Sequence, residues 1–189
     1  MSEQFALSIS PAEGEYLKDL ARWSILQGLK RKALPAASEV DGPPEGSVLR
    51  QELGAFVTLK INGRLRGCIG YIVGRGPLYL TVVRMAQAAA FEDHRFTPLT
   101  LDELGRVDIE ISVLSPITPC PDPEAIEIGR HGLIISKNGR QGLLLPQVPV
   151  EWGWNRRTFL EQTCRKAGIA PDAWTKPDAR LFWFEAVVF

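Results

Sequence analysis

At 189 residues, with 45% apolar and 23% charged side chains, the chain has ordinary globular proportions, which makes disorder or low complexity a poor account of the chain as a whole. Lysine and arginine number 22, as do aspartate and glutamate, so zero formal charge removes the broad attraction behind non-specific binding to nucleic acid or anionic membranes. No stretch approaches the eighteen or so apolar residues of a membrane span, and "MSEQFALSIS" has no basic segment leading into an apolar run, so a soluble protein is expected.

Residues 1–9 precede the first element and are expected to be flexible. Ser10, Pro11 and Glu13 then stand in capping-box spacing, with proline at the first helical position. Tyr16, Leu17, Leu20, Ala21 and Trp23 share one arc of the following helix, and Glu15, Lys18, Asp19 and Arg22 lie opposite, as in a helix docked on a core. Pro35 ends it, and "DGPPEG" reads as a surface loop.

"AFVTLKI" and "RLRGCIGYI" flank Asn62-Gly63, the dipeptide suited to a two-residue type I′ turn, and "LIISK" and "RQGLLL" flank Asn138-Gly139 in the same way. Between these hairpins, Pro77 opens a helix whose alanine-rich second half suits close packing. "RVDIEISVL" alternates as a half-buried strand. Asn155 caps a helix carrying Phe159, Leu160, Thr163, Cys164 and Ala167 on one stripe, and Gly168 closes it. "RLFWFEAVVF", apolar on both faces, reads as a central strand. Hairpins with inserted helices indicate an α+β fold on a mainly antiparallel sheet.

The three cysteines, Cys68, Cys120 and Cys164, are odd in number and widely spaced, and the chain holds only two histidines, which argues against a disulfide framework or a structural zinc site and favours a cytoplasmic setting. No metal ligand set is assigned. If the Asn62-Gly63 turn sets the register, Leu59 faces Arg66 and Val57 faces Cys68, so Arg66 and Cys68 project from one face about 6.5 Å apart. A guanidinium at that distance favours the thiolate, the reactive form of cysteine. Gly67 and Gly70 would leave the adjoining backbone open to a ligand or to a bulge. A strand cysteine more often packs as a small hydrophobe, and glycines there often mark only a bulge or a close helix, so both roles stand. Cys164 reads as core and Cys120 as a loop residue.

"LRGCIG", Leu65 to Gly70, resembles the hallmark of the AMMECR-domain family, whose prokaryotic members are called AmmeMemoRadiSam system protein A. Further resemblances follow in order: "RFTPLT" at 95–100, "IEISVLSP" at 109–116, "IGRHGLIIS" at 128–136, "GLLLPQVPVEWGWN" at 142–155 and "TCRKAGI" at 163–169. His94 departs from an Asp-Pro-Arg-Phe pattern common in relatives, and an exposed residue at a helix end is its plainest role. The resemblance implies a single domain over 1–189 made of two unequal, discontinuous subdomains, with the hexapeptide directed into a cleft between them. It also implies association with a Memo-type protein and a radical-SAM enzyme.

On this basis Cys68 and Arg66 are the expected catalytic residues, with Glu110, His131 and Glu151 as candidate helpers, since a cysteine nucleophile needs a base and an orienting acid. Leu65, Gly67, Ile69, Gly70, Asp93, Arg95 and Trp152 are the expected binding residues. No dinucleotide, P-loop or radical-SAM cluster spacing occurs, so S-adenosylmethionine and an iron–sulfur cluster would belong to a partner. The leading expectation is an enzyme or enzyme accessory acting on a small molecule or a partner's intermediate. The alternative is a non-catalytic binding or scaffold module, in which "PVEWGWNRR" engages a protein more readily than a nucleic acid.

Overall fold

The computed structural model describes residues 7–31 and 33–189, and the chain forms two compact units. The larger runs to Leu114 and resumes at Val187–Phe189; the smaller is Ser115–Ala186. Every described strand pairing is antiparallel and helices lie among the strands, so the fold is α+β. The expectation of flexibility at 1–9 falls largely on residues outside the description, whereas Leu7 is buried and Ile9 packs on the core. Among the described residues no helix is long and apolar enough to cross a membrane.

In the larger unit, helix α1 (Pro11–Arg31) starts at the capping box read from the sequence. Ser10 N–H donates to Glu13 Oε2 at 3.0 Å, and Glu13 N–H donates to Ser10 Oγ at 3.3 Å. Strands β1 (Gly54–Ile61) and β2 (Arg64–Tyr71) meet at Asn62 and Gly63, whose φ values of 52° and 74° are those of the type I′ turn. Helix α2 (Leu78–Phe91) follows Pro77 and is buried over most of its surface, the alanines at 86 and 88–90 included. After the short helix α3 (Leu101–Leu104), strand β3 (Val107–Leu114) pairs with the far side of β1. Ala55, Val57 and Leu59 of β1 and Ile109, Ile111 and Val113 of β3 form a core with Leu17, Ala21 and Ile25 of α1 and Val82 and Ala86 of α2. Phe189 N–H and C=O both bond Ile111, closing this unit with residues from far along the chain.

In the smaller unit, β4 (Thr118–Pro119), β7 (Arg180–Val188), β5 (His131–Lys137) and β6 (Arg140–Leu144) lie in that spatial order. β7 therefore has a partner on each edge, as its two apolar faces imply. The second hairpin repeats the first, with Asn138 and Gly139 at φ 50° and 75°. A short helix α4 (Gln147–Glu151) leads to α5 (Arg156–Lys166), where Asn155 Oδ1 accepts from Thr158 N–H at 2.9 Å and Gly168 takes φ 69°. Phe159 and Leu160 of α5 pack on Leu133, and Cys164 packs on Ile135.

The first hairpin departs from the expected register. Ile61 faces Arg64 and Lys60 faces Leu65, but Leu59 faces Gly67, Thr58 faces Cys68 and Val57 faces Ile69. Arg66 is the extra residue of a β-bulge, and the pairs Leu59–Arg66 and Val57–Cys68 do not form. The cause lies at Gly67: a Cβ there would sit 2.1 Å from the carbonyl oxygen of Ala89, so the strand seats its bare glycine against α2.

Candidate functional site

The bulge separates the two residues expected to work together. Thr58 and Lys60 point away from the core face of β1, and Cys68, opposite Thr58, lies on their side. Arg66 leaves that side: its Nε and Nη2 donate to Glu103 Oε1 and Oε2 at 2.8 and 3.0 Å, and its guanidinium stands 5.9 Å from the Phe96 ring centroid. Arg66 holds Glu103 down to about 2, with help from Thr100 N–H, and Nη1 of the guanidinium is buried without a partner. Arg66 is thus engaged by Glu103 and is not the Leu59-paired, same-face neighbour of Cys68 that was expected. Of the two roles open to the glycines, the bulge and close helix are the ones seen: α2 covers Gly67, and a Cβ at Gly70 would meet the Phe56 ring and Ala55 O at 2.4 Å.

Around Cys68 a different set of groups assembles. β2 is an edge strand, and the Cys68 N–H points outward, where it donates to Asp93 Oδ2 at 2.9 Å. Arg95 Nη2 donates to the Cys68 carbonyl at 3.4 Å and to Asp93 Oδ2 at 2.7 Å, while Arg95 Nε donates to Asp93 Oδ1 at 2.9 Å. Two side chains thus satisfy the donor and the acceptor that a neighbouring strand would otherwise take. Arg95, chiefly, holds the buried Asp93 carboxyl well below the usual carboxylate range, with Cys68 N–H adding to the effect. The other cation-bearing neighbour is linked in too, because Phe96 lies between Arg95, at 5.5 Å, and Arg66. His94 is exposed, as expected of a helix-end residue.

With its backbone groups turned outward, Cys68 sits in a non-hydrogen-bonded pair with Thr58, the arrangement that brings side chains closest. Thr58 Oγ1 accordingly donates to Cys68 Sγ at 3.3 Å. Thr58 also faces Glu110 of β3, so Cys68, Thr58 and Glu110 form one row across three strands, spaced about 4.8 Å from strand to strand. Lys60 Nζ bonds Glu110 Oε2 at 2.8 Å beside that row. Glu110 was legible as a candidate; Thr58 and Lys60 were missed because the expected register put Thr58 out of line with Cys68. Leu65 is exposed on the same side and Ile69 packs on the core.

The remaining expected residues belong to the smaller unit. His131 is 3% exposed; its Nδ1 accepts from Glu127 N–H at 3.0 Å, its ring lies 4.6 Å from that of Trp183, and burial lowers its pKa. It holds a turn. Glu151 is exposed at the end of α4, and Trp152, 69% exposed, stacks on Trp154 at 6.1 Å. Burial raises the Cys164 thiol, which is wholly inside as expected. Cys120 follows β4 and its N–H donates to Leu181 O. Among the described residues no group of three or more His, Cys, Asp or Glu side chains is placed to hold a metal ion.

The AMMECR1 family model matches residues 18–189, nearly the whole chain. The chain belongs to the AMMECR1 family. A relative from Methanothermobacter thermautotrophicus is 42% identical over 190 residues, covering 96% of this chain and 95% of its own. One from Thermococcus gammatolerans is 42% identical over 186 residues, covering 93% and 89%. The crystal structure of the uncharacterized protein PH0010 from Pyrococcus horikoshii superposes with a TM-score of 0.81 at 38% identity, over 95% of this chain and 92% of that one. The AMMECR1 match spans both the Cys68 row and the Asp93–Arg95 clip.

Proposed function

We propose that this AMMECR1-family protein is an enzyme or enzyme accessory that offers the Cys68 thiol to a small-molecule substrate or to the intermediate of a partner enzyme. A Memo-type protein and a radical-SAM enzyme are the proposed partners, the latter bringing S-adenosylmethionine and an iron–sulfur cluster, and the cytoplasm is the proposed compartment. One observation carries the reading: Cys68 is partly exposed while its N–H and C=O are both held by the Asp93–Arg95 pair, so its thiol has a fixed origin. A packing cysteine has no need of such a clamp. In the chemistry this supports, the thiol gives its proton to solvent and the sulfur adds to an electrophilic carbonyl carbon of the substrate, whose C=O π pair moves onto the oxygen. Thr58, whose hydroxyl donates to Cys68 Sγ at 3.3 Å, is the group that orients the sulfur and favours its thiolate.

The test is genetic and physical together. Cys68→Ser and Cys68→Ala should each fail to complement cells lacking the gene while melting within a few degrees of the parent chain. Serine retains the volume but supplies no thiolate near neutral pH. Full complementation by Cys68→Ala overturns the reading. It would favour the scaffold alternative, for which the exposed Trp152 and Val150 are the specific support.

A further inference from the structure

We infer that the larger unit carries a second binding site, unrelated to Cys68: a recess on α1 that takes an aliphatic ammonium group. The recess has a volume of about 260 Å³ and is lined by Tyr16, Asp19, Leu20 and Trp23 of α1 and by Glu39 and Asp41 of the segment that follows. Tyr16, Leu20 and Trp23 are four and three residues apart, so they lie along one stripe of the helix, with two aromatic rings flanking a buried leucine floor. The opposite wall is held in place. Tyr16 Oη donates to the Asp41 carbonyl, and Val40, between the two acids, is buried.

The acids differ in their commitments. Glu39 pairs with Arg31 and accepts from Ala36 N–H, whereas the Asp19 and Asp41 carboxylates enter no ion pair among the described residues. Apolar, aromatic walls with carboxylates at the rim complement a positive charge carried on a short hydrocarbon chain. The methylenes lie on Leu20 and Trp23, and the ammonium meets a ring face and a carboxylate. An anion is repelled by the same acids, and a neutral hydrocarbon gains nothing from them. The volume lies just below the roughly 300–1,000 Å³ of pockets that take drug-sized ligands, so the occupant is small: a short unbranched diamine, or a single lysine side chain.

Trp23 is the only tryptophan outside Ser115–Ala186, so its indole N–H gives an isolated nuclear magnetic resonance signal, assignable with a Trp23→Phe variant. The probes are 1,4-diaminobutane and Nα-acetyl-lysine-N-methylamide, with 1,4-butanediol as the uncharged control. The expected result is a saturable shift of the Trp23 signal by at least one amine, weakened tenfold or more by combined Asp19→Asn and Asp41→Asn at unchanged melting temperature. The stronger amine tells whether the natural ligand is free or protein-borne. No shift with either amine, an equal response to the diol, or undiminished binding by the doubly substituted chain each overturns the site.

Discussion

Replacing Asp93 with alanine tests the clamp on Cys68 directly. The carboxylate accepts from Cys68 N–H at 2.9 Å and holds Arg95 through two of its nitrogens, with the Asp93 side chain 4% exposed and that of Arg95 57% exposed. Because Arg95 is largely solvated, losing the ion pair costs no more than about 1 kcal/mol, the range of exposed pairs. The larger cost is an edge-strand N–H left without an acceptor, about 1–3 kcal/mol. The middle of the resulting range of about 1–4 kcal/mol, about 2–3 kcal/mol, corresponds to a roughly 30- to 150-fold faster hydrogen exchange at the Cys68 amide. Asp93→Asn keeps an oxygen for that N–H and loses the charge, so its exchange should rise only about fivefold. The pH dependence follows from the depressed Asp93 carboxyl. Its contribution is complete above the unfolded value of about 3.9 and is lost as pH falls below it toward the folded value, so protection in the parent chain should fall across that window. The Asp93→Asn variant should lack that step. Exchange in Asp93→Ala within threefold of the parent, or Asn behaving like Ala, would refute the clamp.

Three further outcomes are expected. Gly67→Ala should destabilise by about 3 kcal/mol or more in urea unfolding, because its Cβ would lie 2.1 Å from Ala89 O, a backbone atom that cannot swing aside. Glu103→Ala should cost about 2–3 kcal/mol, since it strands an Arg66 side chain that is 13% exposed. The parent chain should lose the same contribution as pH falls from the unfolded carboxylate value of about 4.3 toward the folded value of about 2, a window in which a Glu103→Ala melting curve stays flatter. Thiol labelling of the folded chain should modify Cys68 and spare Cys164; equal protection of both would return Cys68 to a packing role.

Much of the fold can be read from local chemistry. Both Asn-Gly turns, the Ser10–Glu13 box and the Asn155 cap are short-range arrangements, complete within a few residues, and they form as their side chains dictate. The site was less legible, and Gly67 shows why. Its role depends on Ala89, which comes close only through tertiary packing, and the bulge it accompanies shifts every later pair by one residue. One residue of register exchanged Arg66 for Thr58 as the neighbour of the sulfur. Glu110 survived the shift because the pairing of β1 with β3 has no bulge. Asp93 and Arg95 came into view only through the family resemblance, since an aspartate two residues before an arginine carries no signal that it will hold a distant strand.

The pairing of Phe189 with Ile111 bears on how the chain is made. On the ribosome, residues up to Leu114 emerge first, but the strand partner of Ile111 follows only after Ser115–Ala186 have been synthesised. At about 5–20 residues per second this is a wait of roughly 4–15 s, ample for the smaller unit to begin forming while β3 still shows Ile111's unpaired N–H and C=O. Nascent chains stalled within that interval should be the ones that chaperones retain, and release should coincide with the arrival of Val187–Phe189.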